Sequence, residues 1–227
     1  MDTKLHVHSI FESISGEVGT FPQGTFCSFI RLQGCNLNCS WCDTPLARSI
    51  HMAEEKTIDE IMSEIKTKYV VITGGEPLLQ MKNLVPLLER LTRRRHEVQV
   101  ETNGSILLPY FRGLPPTHSL MDVGWVVDYK CPSSVESGSM QPIILYEEMI
   151  RVNKAIVKFV IKDQADLFFA IDKAKILSNG NYMGKFAFSP LDGKEMITAI
   201  YEGIRSLSFL RDRSILSIQI HKIANLS

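Results

Sequence analysis

The stretch TFCSFIRLQGCNLNCSWC, residues 25–42, decides how the rest of the chain is read. Its opening, Thr25 to Leu32, is β-branched and aromatic and so predicts a strand, which delivers the chain straight into cysteines 35, 39 and 42. The run Cys35-Asn-Leu-Asn-Cys39-Ser-Trp-Cys42 puts three thiolates on one tight loop, close enough to ligate three corners of a single metal cluster while one corner stays open. Structural zinc would want four protein ligands, usually as two separated pairs. No second Cys/His pair lies at such spacing, and the nearest spare histidine, His51, stands alone. Cys27 and Cys131 are isolated and read as small buried hydrophobes. The loop therefore predicts a [4Fe-4S] cluster on Cys35, Cys39 and Cys42.

Downstream of the cysteines, strands and helices alternate. Thr57-Ile-Asp-Glu60 is a capping box, and Ile58, Ile61, Met62 and Ile65 continue at helical spacing in a helix expected to end near Lys68. The run YVVIT, residues 69–73, is a short buried strand that stops at Gly74-Gly75, and Leu84, Leu87, Leu88 and Leu91 mark the next helix. Further strands are expected at 98–102, 125–129 and 155–161, followed by a helix capped by Asp163 and carrying Leu167, Phe168 and Ile171. Strands at 185–188 and 214–219 flank a helix with Met196, Ile197, Ile200 and Ile204 on its inner face. Residues 104–124 show little periodicity and are assigned as connection. This alternation predicts an α/β fold with a parallel sheet, helices on its outer face and active residues at the carboxyl ends of the strands.

The chain's 227 residues, 44% of them hydrophobic, suit one domain spanning residues 1–227. Twenty-five basic residues balance 25 acidic ones, so no overall field draws the protein to nucleic acid or to an anionic membrane. The apolar runs are far shorter than the ~20 residues of a membrane span, and the N-terminus lacks the basic and apolar segments of a secretory signal. Five cysteines, three of them within eight residues, fit reduced thiolates better than a disulfide framework. A cytoplasmic location is expected.

The C-x3-C-x2-C spacing with Trp41 before the last cysteine resembles the signature of the radical S-adenosylmethionine (SAM) superfamily, and Thr73-Gly74-Gly75-Glu76-Pro77 resembles its glycine-rich motif. Further stretches resemble the 7-carboxy-7-deazaguanine synthase family within it. These are Phe11-Glu12-Ser13-Ile14-Ser15-Gly16-Glu17, Phe29 to Cys35, Trp41-Cys42-Asp43-Thr44, Glu101-Thr102-Asn103-Gly104 and Gln219-Ile220-His221-Lys222. The resemblance implies a partial (β/α) barrel of roughly six parallel strands. It also implies that the open iron binds SAM and that SAM is cleaved to a 5′-deoxyadenosyl radical. The implied reaction is ring contraction of 6-carboxy-5,6,7,8-tetrahydropterin to 7-carboxy-7-deazaguanine with loss of ammonia.

Residue by residue, the resemblance implies magnesium at Thr44, and SAM contacts at Trp41, Asp43, Gly74, Gly75, Glu76, Glu101 and Asn103. It places Asp128, Tyr129, Lys130 and Ser189 with SAM as well, where the family has Ser-Pro-Lys and a glutamine. The pterin is assigned to Ile14, Ser15, Gly16, Glu17, Arg31, Thr73, His221 and Lys222, with Ser15 standing where the family commonly has glutamine. An arginine can clamp the pterin carboxylate bidentately where a lysine acts as a point charge, and Glu17 can accept from the pyrimidine N-H edge. A flavodoxin-like electron donor and a homodimer are also implied. Two other readings share these features: a glycyl-radical enzyme activase, and a non-catalytic metal-binding protein on the same fold. The Cys-Asp-Thr ending, Gly16-Glu17 and His221-Lys222 favour the synthase.

Overall fold

The computed structural model describes residues 3–108, 118–142, 145–146, 154–180, 182, 184–224 and 226. Nine strands form one sheet: β1 Lys4–Ile14, β2 Phe26–Leu32, β3 Glu54–Thr57, β4 Tyr69–Gly74, β5 Glu97–Thr102, β6 Gly124–Asp128, β7 Lys154–Ile161, β8 Lys185–Pro190 and β9 Ser214–Leu216. Their order is β3-β1-β2-β4-β5-β6-β7-β8-β9. All pairings from β2 to β9 are parallel, whereas β1 runs antiparallel to both β2 and β3.

Helices α1 Ile58–Glu64, α2 Met81–Arg93, α3 Gln164–Asn179 and α4 Lys194–Ser206 cover the outer face, with short helices α5 Ser208–Arg211 and α6 Ile220–Ile223 near the C-terminus. The capping box forms as expected, with Thr57 accepting from the Glu60 N-H and Glu60 accepting from the Thr57 N-H. Leu84, Leu87, Leu88 and Leu91 of α2 are fully buried, each burial stabilising the fold by about 1.5–3 kcal/mol.

Alternation along the strands separates two faces. Outward residues such as Ile72, Val100, Trp125, Val157 and Phe186 join the main core beneath the helices. The other face curls around the loop after β1. Val18 packs against Ile156 and Ala187 with Ile215 beside them, while Phe21 packs against Cys27 and Val71. One short loop thus touches strands from both halves of the sheet and plugs the base of an open, partial barrel. The edge strands β3 and β9 are not paired with each other.

Several expectations need correction. Strands β1 and β3 were not anticipated, because within β1 only Leu5 and Val7 are fully buried and the alternation is too weak to read. Helix α1 stops at Glu64 rather than near Lys68, and β9 stops at Leu216. Of the three apolar residues expected to mark α3, Leu167 is buried and Ile171 packs against the core, but Phe168 is 64% exposed, and Ala170, Ala174 and Leu177 complete the inner face. The seven parallel strands, by contrast, agree with the roughly six expected. Within the 104–124 connection, a 3-10 turn occupies Ser119–Asp122, and 109–117 lie outside the described residues.

Candidate active site

The carboxyl ends of the parallel strands open into one cavity of about 220 Å³, and Cys35, Cys39 and Cys42 lie in its wall. Their loop is held from two sides. Toward the sheet, Gly34 N donates to Ala47 O at 2.8 Å and Cys35 N to Arg48 O at 2.9 Å. The fully buried Gln33 donates to Leu46 O at 2.7 Å and to Ser49 O at 2.5 Å, and its Oε1 accepts from His8 Nδ1 at 2.7 Å. Away from the sheet, Ser40 N donates to Ser134 O at 3.1 Å and Trp41 Nε1 to Ser133 Oγ at 3.3 Å. Asn103 Nδ2 donates to Cys35 Sγ at 3.7 Å. Burial pushes the Cys39 thiol up, with Lys130 opposing.

Beside this loop, Gly74 and Gly75 let the end of β4 approach the end of β2. Gly74 has φ +125°, and a Cβ on it would stand 2.1 Å from Leu32 O; a Cβ on Gly75 would stand 2.0 Å from Gly34 O. Only glycine allows both the left-handed backbone and the close approach. Glu76 lies fully buried behind the wall, its carboxylate accepting from Leu78 N at 2.9 Å, Thr102 Oγ1 at 2.8 Å and Asn103 N at 2.6 Å. It stitches the β4 and β5 ends together.

A charged floor completes the cavity. Lys158 Nζ lies 2.5 Å from Glu17 Oε2 and 3.7 Å from Asp128 Oδ1, and Lys130 Nζ lies 2.7 Å from Asp128 Oδ2. Burial opposes ionisation of Glu17, but Lys158, helped by a hydrogen bond from Gln219, holds its carboxyl down at about 2. Glu101 is pushed up to about 7 by burial and by the Glu17 charge, despite Lys158 and hydrogen bonds from Thr73 Oγ1 at 3.1 Å and Gln99 Nε2 at 3.0 Å. Lys130 keeps its charge because Asp128 outweighs the cost of burial, and its Nζ sits 5.2 Å from the Trp41 ring centre.

At the mouth, Arg31 Nη1 donates to Thr44 Oγ1 at 2.5 Å while its guanidinium rests over the Phe11 ring, which stacks on Phe29. Thr44 Oγ1 in turn donates to Asp43 Oδ1 at 3.2 Å. The C-terminal segment closes the other side, with Ile220 N donating to Gly16 O at 2.9 Å and Val18 N to Ser217 Oγ at 3.0 Å. A Cβ on Gly16 would stand 1.9 Å from His221 Nδ1, so glycine is what admits the imidazole there. Ile14, Ser15 and Lys222 line this same side.

Three expected site residues do not line the cavity. Glu76 is behind it; Tyr129 points to the opposite face of the sheet from Asp128 and Lys130 and packs among Tyr146, Phe159 and Phe169. Ser189 is buried with its hydroxyl donating to Ser217 O at 3.0 Å. Lys158 and Gln219, on the other hand, were missed as site residues. The signal for Lys158 was a single charge within the apolar run AIVKFVI, residues 155–161.

The cavity suits the cofactors that the cysteine spacing implies. Among the described residues no three His, Cys, Asp or Glu side chains converge as single-ion ligands; the three cysteines line one cavity, and thiolates on a single loop are what an iron-sulfur cluster takes. Asp128 Oδ1 and His221 Nδ1 are buried without a hydrogen-bond partner among the described residues, and both lie in the cavity wall, where a polar ligand could meet them. Thr44 and Asp43 supply hard oxygen donors of the kind magnesium takes.

Comparison with known proteins agrees. Residues 29–118 match the Radical SAM superfamily. A 7-carboxy-7-deazaguanine synthase of Koribacter versatilis is 33% identical over 84% of this chain and 80% of its own length. The enzyme of the same name from Methanospirillum hungatei is 33% identical over 98% of this chain and 86% of its own length. The crystal structure of QueE from Escherichia coli shares the fold, with a TM-score of 0.70 and 21% identity over 95% of this chain and 94% of that one. No helix among the described residues is long and apolar enough to cross a membrane. With its cysteine loop, glycine-rich strand end and relatives taken together, the chain is a radical SAM enzyme and belongs to the 7-carboxy-7-deazaguanine synthase family.

Proposed function

We propose that this chain, acting as one domain, contracts the ring of 6-carboxy-5,6,7,8-tetrahydropterin to 7-carboxy-7-deazaguanine with loss of ammonia. The observation that carries this reading is the convergence in one cavity of the three cysteines, Arg31 at the mouth and Glu17 on the floor. When bound, the cluster and SAM supply a 5′-deoxyadenosyl radical that abstracts hydrogen. The remaining work falls to the chain's own side chains.

Arg31 offers a planar fork for the pterin carboxylate and is ordered by Phe11 and Thr44. Thr44 Oγ1 would hold magnesium, which would supply a hard Lewis acid beside the guanidinium that meets the substrate carboxylate. Glu17, ionised on the floor, accepts from the pyrimidine N-H edge at the other end. Groups gripping opposite ends hold the reacting carbon in place, which contributes to rate as well as affinity. Glu101, near 7, can deliver a proton to the departing amine. Segment 217–222 excludes water from the side of His221. Cys35, Cys39 and Cys42 hold the cluster, while Trp41, Asn103, Asp128 and Lys130 face SAM. A flavodoxin-like donor, a homodimer and a cytoplasmic setting complete the reading.

Anaerobic reconstitution with iron, sulfide, SAM, a reductant, magnesium and the pterin should yield 7-carboxy-7-deazaguanine. SAM cleavage that never converts the pterin would refute the substrate assignment while leaving the radical SAM chemistry standing.

A further inference from the structure

The mechanism above gives no task to Lys158, although its position is costly to maintain. The side chain is nine-tenths buried in the middle of β7, among the apolar residues of 155–161. Its Nζ stands 2.5 Å from Glu17 Oε2 and 3.7 Å from Asp128 Oδ1. Glu17 belongs to the loop after β1 and Asp128 to the end of β6, so one ammonium bridges two walls of the cavity. Asp128 has a second cation, Lys130, at 2.7 Å. Among the described residues Lys158 is the only cation within 4 Å of Glu17.

A buried ion pair seldom stabilises a fold more than well-packed apolar residues would, because both charges lose their hydration. Fixing a charge in one orientation is the better-attested use. Glu17 shows such fixation: Lys158 takes one carboxylate oxygen and Gln219 Nε2 donates to the other, leaving the remaining lone pairs to face the cavity. We propose that Lys158 is a positioning residue for substrate recognition, holding Glu17 ionised and aimed, and tethering this substrate-side carboxylate to Asp128 on the SAM side. This rests on the pterin reading, since it is the N-H edge of that substrate which needs a charged acceptor.

Removing the ammonium has a consequence that loss of packing does not have. Glu17 is faced by Lys158 from β7, by Gln219 and His221 from the C-terminal segment and by Glu101 from β5, with Asp128 at the end of β6 and Lys130 just after that strand beyond Lys158. Without Lys158, burial and the neighbouring carboxylates drive the Glu17 proton affinity upward, so the acceptor is neutralised as pH falls. Pterin binding should then acquire a dependence on pH through Glu17, over and above the one that Glu101, near 7, gives the native protein.

The test measures pterin binding to the anaerobically reconstituted, SAM-loaded protein by calorimetry from pH 6 to 8.5, with iron-sulfur absorbance confirming that each variant carries its cluster. Lys158→Met should bind at least ten-fold more weakly at pH 6.5 and recover part of that loss at pH 8.5. Lys158→Arg, which keeps the charge, should stay within about three-fold of wild type. If Lys158→Met fails to assemble, the Glu17→Gln, Lys158→Met double variant carries the test, because it leaves neither member of the pair charged and buried. It should bind the pterin within about three-fold of Glu17→Gln alone; a further ten-fold loss would overturn action through Glu17. Wild-type affinity and an unchanged pH profile in Lys158→Met would overturn the inference alone. Failure of wild type itself to bind the pterin would overturn the substrate reading and this inference with it.

Discussion

Replacing Gly75 by alanine puts a methyl group where the structure has backbone. The added Cβ would lie 2.0 Å from Gly34 O, 2.5 Å from Gly34 C and 2.8 Å from Ala47 O. None of these atoms can turn aside as a flexible side chain could, so the two strand ends must part by roughly 1 Å to reach even a tight contact. The hydrogen bonds across the junction, Gly75 N to Leu32 O at 3.0 Å, Glu76 N to Gly34 O at 2.8 Å and Gly34 N to Ala47 O at 2.8 Å, stretch with them. Overpacking costs about 1–3 kcal/mol and each weakened hydrogen bond about 0.5–1.5 kcal/mol. A total of roughly 2.5–7.5 kcal/mol is expected, or about 5–30 °C in Tm for a chain of this size. Because Gly34 precedes the first cluster cysteine, the variant should also retain less iron after reconstitution. Thermal unfolding of the apo-protein, with iron counted per chain after desalting, measures both effects. Gly138→Ala, whose Cβ would meet nothing within 4 Å, is the control and should change Tm little. A Gly75→Ala protein that melts within 2 °C of wild type, roughly 1 kcal/mol, and keeps its iron would refute the packing argument.

Cys39→Ala should lose the iron-sulfur absorbance and SAM cleavage, whereas Cys27→Ala, buried at the base of the barrel, should keep both; cleavage persisting in Cys39→Ala would sink the cluster assignment. Arg31→Lys should lower pterin turnover by about ten-fold or more, the loss of a charge-assisted hydrogen bond costing about 1.5–3 kcal/mol, with its cluster intact; normal pterin kinetics would remove Arg31 from the substrate site. For Glu101, folding raises the carboxyl from 4.5 to about 7, so between these values the folded chain holds a proton that the unfolded chain has released. Its contribution to apo-protein stability is present on the acid side and lost as pH rises through about 7. Glu101→Gln should flatten that part of the Tm profile between pH 5 and 7.5, and identical slopes in both proteins would count against a raised Glu101.

The cysteine loop, the Thr57 capping box and the positions of the parallel strands were legible in the sequence because each rests on local pattern. A chelating loop is set by covalent chain length, a cap by a neighbour three residues on, a buried strand by a short β-branched and apolar run. Relatively little of the charged floor is local in this sense. Glu17, Asp128, Lys158 and Gln219 come from four separate segments; the register of β6 on β7 pairs Asp128 with Lys158, and the packing of the loop after β1 against the sheet sets Glu17 on the same lysine. Tertiary structure also turned Tyr129 away from the cavity, since its neighbours Asp128 and Lys130 already occupy the inward positions. It placed Glu76 behind the wall as a stitch between strand ends. The glycines at 74 and 75 could be read as a motif from the sequence alone. Their physical necessity, a Cβ that would strike Leu32 and Gly34, exists only once β4 lies beside β2, because steric exclusion depends on distances between segments that the sequence does not encode locally.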